Sequence, residues 1–132
     1  MQYLLTLYAD ETRFTSMTPE QKQHGLAAYM AYAQALKAAG VYVGSNRLRP
    51  AETATTLRTT DGKVQVLDGP FIESKEQLGG YFLIEVPNLD AAISWASKCP
   101  GVGHGIVEVR AIWAADPATG KYESQEALAA SR

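Results

Sequence analysis

A chain of 132 residues, 46% of them hydrophobic and 20% charged, is long enough to bury one ordinary core without disulfides or metals. Its net charge of −2, with Lys and Arg scattered singly, lacks the basic stripe that a phosphate backbone requires, so nucleic acid is not expected as a direct partner. No apolar run is long enough to span a bilayer and no charged leader precedes one, so a cytoplasmic protein without membrane contact is expected. The single Cys99 has no second thiol for a disulfide or a zinc site and reads as a buried small hydrophobe.

Gln2 to Tyr8 mixes β-formers with leucine and ends at Ala9-Asp10-Glu11, a first strand running into a polar loop. Thr18, Pro19 and Glu20 supply an N-cap, a proline at the first helical position and an acid in the first turn, so a long helix starts there. Leu26, Tyr29, Met30, Ala33 and Leu36 give its apolar stripe, and Gly40 ends it. Val41 to Leu48 reads as the second strand, bounded by Pro50.

Asp61-Gly62, between Ala54 to Thr60 and Lys63 to Leu67, is the strongest local signal, a two-residue type I′ hairpin. With Thr60 facing Lys63, Leu57 pairs with Val66 and Thr59 with Val64 on one face, while Arg58 meets Gln65 on the other. A polar loop to Gln77 follows, and Gly79-Gly80 leads into a strand over Tyr81 to Val86. Asn88 caps a shorter helix with the stripe Leu89, Ala92, Ile93 and Ala96; Pro100 and Gly101 end it, and Ile106 to Trp113 forms the last strand. The domain thus covers residues 1–113, and residues 114–132 form a tail with at most a weak helix near Glu123 to Ala130.

This order is α+β: a ferredoxin-like βαββαβ unit with an inserted hairpin. Alternation puts Val107, Val109, Ala111 and Trp113 on one side of the last strand and Ile106, Glu108, Arg110 and Ile112 on the other. Both sides carry bulky apolar groups, so a second copy is expected to cover the face that the helices leave open, giving a homodimer of the dimeric α/β-barrel kind.

Two polar constellations are candidates for binding. The loop 68–76 carries Asp68, Glu73, Lys75 and Glu76 between apolar strands, although Asp68-Gly69-Pro70 also makes a turn by itself. Arg58, Glu108 and Arg110 fall on polar faces, where an arginine fork can clamp a carboxylate or Glu108 can satisfy an arginine. Of the two histidines, His24 lies near the start of the long helix. His104, in the glycine-rich run 101–105, is the better general base, with Asp68 as the other candidate. No metal-ligand spacing, nucleophile elbow or nucleotide-binding glycine loop is present, so no metal and no cofactor are expected.

Asp68-Gly69-Pro70-Phe71, continued by Glu73, Lys75-Glu76 and Leu78-Gly79-Gly80-Tyr81, resembles the signature of the DGPF group within the YCII-related (YciI-like) family. The likeness extends to Met1 to Tyr8, Ala39-Gly40-Val41, Leu57-Arg58 and Val107-Glu108-Val109-Arg110. It implies a dimeric ferredoxin-like protein. Relatives carry a helix histidine and a later aspartate as a suggested catalytic pair; the corresponding positions here fall at about Met30 and at Cys99, so the pair is replaced. Similar domains also occur joined to sigma-70-like factors, which implies a sigma-factor-like protein as a partner. The sequence therefore points to a small-molecule-binding or regulatory dimer using Arg58, Asp68, Lys75, Glu76, Glu108 and Arg110. The alternatives are a cofactor-free enzyme acting on a small acidic metabolite and a sigma-factor-associated interaction module.

Overall fold

The computed structural model describes residues 1–123. All but the first residue of the weak tail helix expected from Glu123 lies outside them. The elements are β1 (Gln2–Ala9), α1 (Glu11–Ser16), α2 (Pro19–Ala38), β2 (Tyr42–Arg47), β3 (Thr55–Thr60), β4 (Lys63–Asp68), β5 (Gln77–Glu85), α3 (Leu89–Ala96) and β6 (Ile106–Ala111). Short 3-10 turns lie at Ala51–Thr53 and Pro100–Gly103. Four strands form one sheet in the order β2-β5-β1-β6, every pairing antiparallel, and β3 and β4 form a second sheet by themselves. The fold is α+β.

Local chemistry sets the element ends. The Thr18 hydroxyl accepts from the Gln21 amide at 3.1 Å while the Gln21 side chain accepts from the Thr18 amide at 2.9 Å, a reciprocal cap that starts α2 ahead of Pro19. Such a cap contributes about 1 kcal/mol. At the other end Gly40 takes φ +73, the left-handed conformation that closes a helix and that glycine adopts without steric cost. Asn88 caps α3 through the Ala91 amide at 3.0 Å.

The core lies between the sheet and the two long helices. Tyr3 and Leu5 of β1 and Phe82 and Ile84 of β5 meet Tyr32 and Leu36 of α2 and Ala92 and Ala96 of α3, with Val107, Val109 and Ala111 of β6 packed alongside. Leu5, Leu36 and Ile84 are fully buried, each stabilising the fold by about 1.5–3 kcal/mol. The buried stripe of α2 differs from the expected one. Tyr29, Tyr32, Ala33 and Leu36 face inward, whereas Leu26 and Met30 are exposed. Tyr32 can go inside because its hydroxyl donates to the Trp95 carbonyl at 2.8 Å and its ring meets Phe82 edge-on at 5.1 Å.

Three further boundaries depart from the sequence reading. The stretch after β1 is the short helix α1, not a loop. β5 begins at Gln77, four residues early, because Gly79 and Gly80 belong to the ladder: a Cβ on Gly80 would sit 2.8 Å from the Asn46 carbonyl oxygen of β2, an approach only glycine permits. The last strand ends at Ala111, since Trp113 leaves it to stack edge-on with Tyr122, where Ala115 and Tyr122 form a bridge.

The hairpin has the expected register, Thr60 opposite Lys63, Leu57 opposite Val66, Thr59 opposite Val64 and Arg58 opposite Gln65. Asp61 and Gly62 both take positive φ, 51 and 75, as a type I′ turn demands.

Gly25 in α2 and Gly80 in β5 should respond oppositely to the same change. Gly25→Ala meets open space and should stabilise by about 0.5–1 kcal/mol, while Gly80→Ala should destabilise by about 1–3 kcal/mol, both read from urea unfolding midpoints.

Candidate functional site

Antiparallel pairing decides which loops meet. β1 runs opposite to both β5 and β6, and its last residues pair with their first, Ala9 with Gln77 and Tyr8 with Ile106. The residues just beyond these ends therefore converge at one end of the sheet. Asp10, Arg13, Lys75, Glu76 and His104, with Gly103, Gly105, Val102 and Ile106, line an open cleft of about 370 Å³ there.

Each side of the cleft is held locally. Asp10 caps α1, accepting from the Thr12 hydroxyl at 2.7 Å and the Thr12 amide at 3.0 Å; these bonds, helped by the Lys75 ammonium, hold its carboxyl below the usual range. α1 buries no residue and is fixed from outside. The Lys22 ammonium and the Arg47 guanidinium each sit over the Phe14 ring, 4.7 and 4.9 Å from its centroid, and Glu11 accepts from the Ala51 amide at 2.9 Å. Each such cation contact contributes about 0.5–1 kcal/mol at an exposed site. Arg13 is thereby aimed at the third loop, where it donates to the His104 carbonyl at 3.4 Å. On the second side Ser74 donates to the Glu76 carbonyl and Gln77 to the Ser74 carbonyl, tying down the turn that carries Lys75 and Glu76.

Two of the glycines around His104, Gly101 and Gly105, serve packing, while Gly103 faces open space. A Cβ on Gly105 would run into the Tyr8 carbonyl, and one on Gly101 would sit 2.9 Å from the Tyr29 hydroxyl, so this loop can lie directly on the end of β1. Gly69, in the run Asp68-Gly69-Pro70-Phe71, has an equally definite task. With φ +99 it turns the chain at the foot of the hairpin, donating to the Ala54 carbonyl at 2.7 Å and accepting from the Thr56 hydroxyl at 2.7 Å.

Of the residues singled out in the sequence, Lys75, Glu76 and His104 come together in the cleft. Glu108 and Arg110 do not line it; they pair with each other at 3.2 Å on the exposed, helix-free face of the sheet. Arg58 and Asp68 sit on the separate hairpin, both exposed, and neither lines the cleft. Asp10 and Arg13 were missed, although an Asp followed by an acid and then a hydroxyl is a helix-start signal. His24 is exposed on α2. Among the described residues no group of three or more His, Cys, Asp or Glu side chains could hold a metal ion, and no helix is long and apolar enough to cross a membrane.

The positions corresponding to the suggested histidine and aspartate lie in different surroundings. Met30 is 63% exposed; Cys99 is 3% exposed, beside Tyr29 and Tyr32. Burial pushes the Cys99 thiol up, the Tyr29 phenol up to about 12, and the Tyr32 phenol up as well.

Fold and cleft together define a small α+β protein with its helices on one face of an antiparallel sheet and a mixed-charge site at the sheet end. The chain belongs to the YCII-related domain family, which it matches over residues 1–116. It is similar to an uncharacterized protein of Rhizobium meliloti, 33% identical over 123 residues that cover 93% of this chain and 89% of the relative.

The buried thiol and phenols make stability depend on alkaline pH. Above the ordinary values of 9.0 for Cys99 and 10.0 for the tyrosines the unfolded chain releases protons that the native chain retains, so stability falls as pH rises. Thermal midpoints should decline from about pH 8 to about pH 11, and Tyr29→Phe should flatten the decline above about pH 10.

Proposed function

We propose that this YCII-related domain protein is a ferredoxin-like subunit that works as a homodimer and binds a small carboxylate-bearing metabolite in the sheet-end cleft, in a binding or regulatory role. The run Asp68 to Phe71 supports placing it in the DGPF group of the family. The strand order β2-β5-β1-β6, with both long helices on one face, supports the ferredoxin-like assignment. The outer face supports the dimer. Its cross-strand rows are Leu78, Tyr8 and Ile106, then Tyr81, Thr6 and Glu108, then Leu83, Leu4 and Arg110, a surface more apolar than water favours.

The observation that carries the ligand reading is the convergence of Arg13 and Lys75 beside Glu76 and His104 in one cleft. The volume lies near the lower end of the range for small-molecule sites, about 300–1,000 Å³. Arg13 offers a planar fork to a carboxylate and Lys75 a point charge, while Glu76 and Asp10 are placed to take a hydroxyl or ammonium group. Arg110 is engaged by Glu108 and has no share in the site within one chain.

A second reading is a cofactor-free enzyme acting on a small acidic metabolite with His104 as base, favoured by the position of that histidine next to Lys75 and Glu76. Among the described residues no side chain is hydrogen-bonded to the His104 imidazole, and an unoriented imidazole favours binding over turnover.

Thermal-shift and calorimetric titration with a panel of mono- and dicarboxylic acids tests both readings. At about 100 times its dissociation constant a fitting acid should stabilise the protein by about 2.7 kcal/mol. Arg13→Ala and Lys75→Ala should each weaken that acid about tenfold or more, and Arg110→Ala should leave it unchanged. A panel without effect, or equal binding by the Arg13 and Lys75 variants, defeats the ligand reading; turnover abolished by His104→Ala would move the assignment to the enzyme.

A further inference from the structure

The β3–β4 hairpin is written with two unlike faces. Leu57, Val64 and Val66 share one side with Thr59, while Arg58, Gln65, Thr60 and Lys63 share the other, with Thr56 and Leu67 at its foot. Alternation of this kind is the pattern of a ribbon with one covered side. Among the described residues none covers it: Leu57, Val64 and Val66 are 62%, 65% and 65% exposed, and the hairpin pairs with no described strand but its own partner. Just beyond its foot Phe71 and Ile72 are also exposed. A lone two-stranded ribbon is marginal in water, and an uncovered apolar one invites association.

We infer that this hairpin is an arm that clasps a second copy of the same chain, an inference that rests on the dimer proposed above and says how it is held. The available area decides the occupant. Leu57, Val64, Val66, Phe71 and Ile72 together offer on the order of 500 Å² of apolar surface, short of the roughly 800 Å² that each partner contributes to a stable complex. An unrelated partner gripping one arm would gain that deficient area alone. A two-fold pairing uses the patch twice, because each copy gives an arm and receives one, and the area buried on each copy then includes both its arm and the surface its partner's arm covers. That pairing passes the threshold. The polar side with Arg58 and Lys63 stays in water, as the outside of a clasp should.

The arm also bears on the ligand cleft. Its foot at Gly69 is followed within a few residues by Lys75 and Glu76, so a docked arm restrains the segment that carries two of the cleft's charges.

Analytical ultracentrifugation of the full chain, over about a hundredfold range of concentration, provides the test. The wild-type chain should sediment as a dimer. Val64→Lys combined with Val66→Lys should give a monomer with a retained cooperative melt, its dimer dissociation constant raised about 100-fold or more, while Gln65→Lys on the opposite side of the ribbon should stay dimeric. Leu83→Lys probes the sheet face separately. If Leu83→Lys is monomeric and the Val64/Val66 pair variant dimerises like wild type, the clasp is overturned while the sheet-face dimer stands; a wild-type chain that sediments as one copy throughout removes both. Hydrogen exchange on the unsubstituted chain needs no variant: amide protection across residues 55–68 that falls when the chain is diluted below its dimer dissociation constant supports the clasp, and protection unchanged by that dilution refutes it.

Discussion

β1 is hydrogen-bonded along both edges, to β5 from Gln2 to Ala9 and to β6 from Tyr3 to Tyr8, and the other features of the structure take their positions from this double pairing. It makes β1 a central strand, so Tyr3 and Leu5 on one side lie among the least accessible side chains in the protein while Leu4, Thr6 and Tyr8 mark the middle of the other side. It also sets the chain directions that bring three loops to one end of the sheet. The cleft needs no special element of its own; it is where a central strand leaves off and its two neighbours begin.

Much of this architecture was legible because its signals are local. Thr18-Pro19, Gly40, Asn88 and Asp61-Gly62 each act within a few residues, and the structure places the caps and the turn where these residues require. The hairpin register followed from the turn type alone. What escaped the sequence depended on distant neighbours. Gly79-Gly80 looks like a strand entrance, yet the reason for glycine at position 80 is the Asn46 carbonyl in a strand more than thirty residues earlier. Tyr32 was absent from the expected stripe because its burial depends on an acceptor in α3, the Trp95 carbonyl.

The candidate site shows the same division. Lys75, Glu76 and His104 stand out as polar residues near strand ends, and they do share a cleft. Arg58, Glu108 and Arg110 share polar faces by alternation, yet Arg58 stands on a sheet of its own and none of the three lines the cleft. Asp10 and Arg13 went unnoticed since α1 has no buried residue and hence no apolar period. It is held by the two cations over Phe14 and by the Glu11 bond, contacts that periodicity cannot reveal.

The lone thiol of Cys99 carries a practical consequence. It is enclosed by the core and held in its unreactive protonated form, so an alkylating reagent reaches it when the helices part from the sheet. With no other sulfhydryl in the chain to confuse the signal, its rate of labelling becomes an intrinsic clock for core opening, readable on the unmodified protein by mass alone.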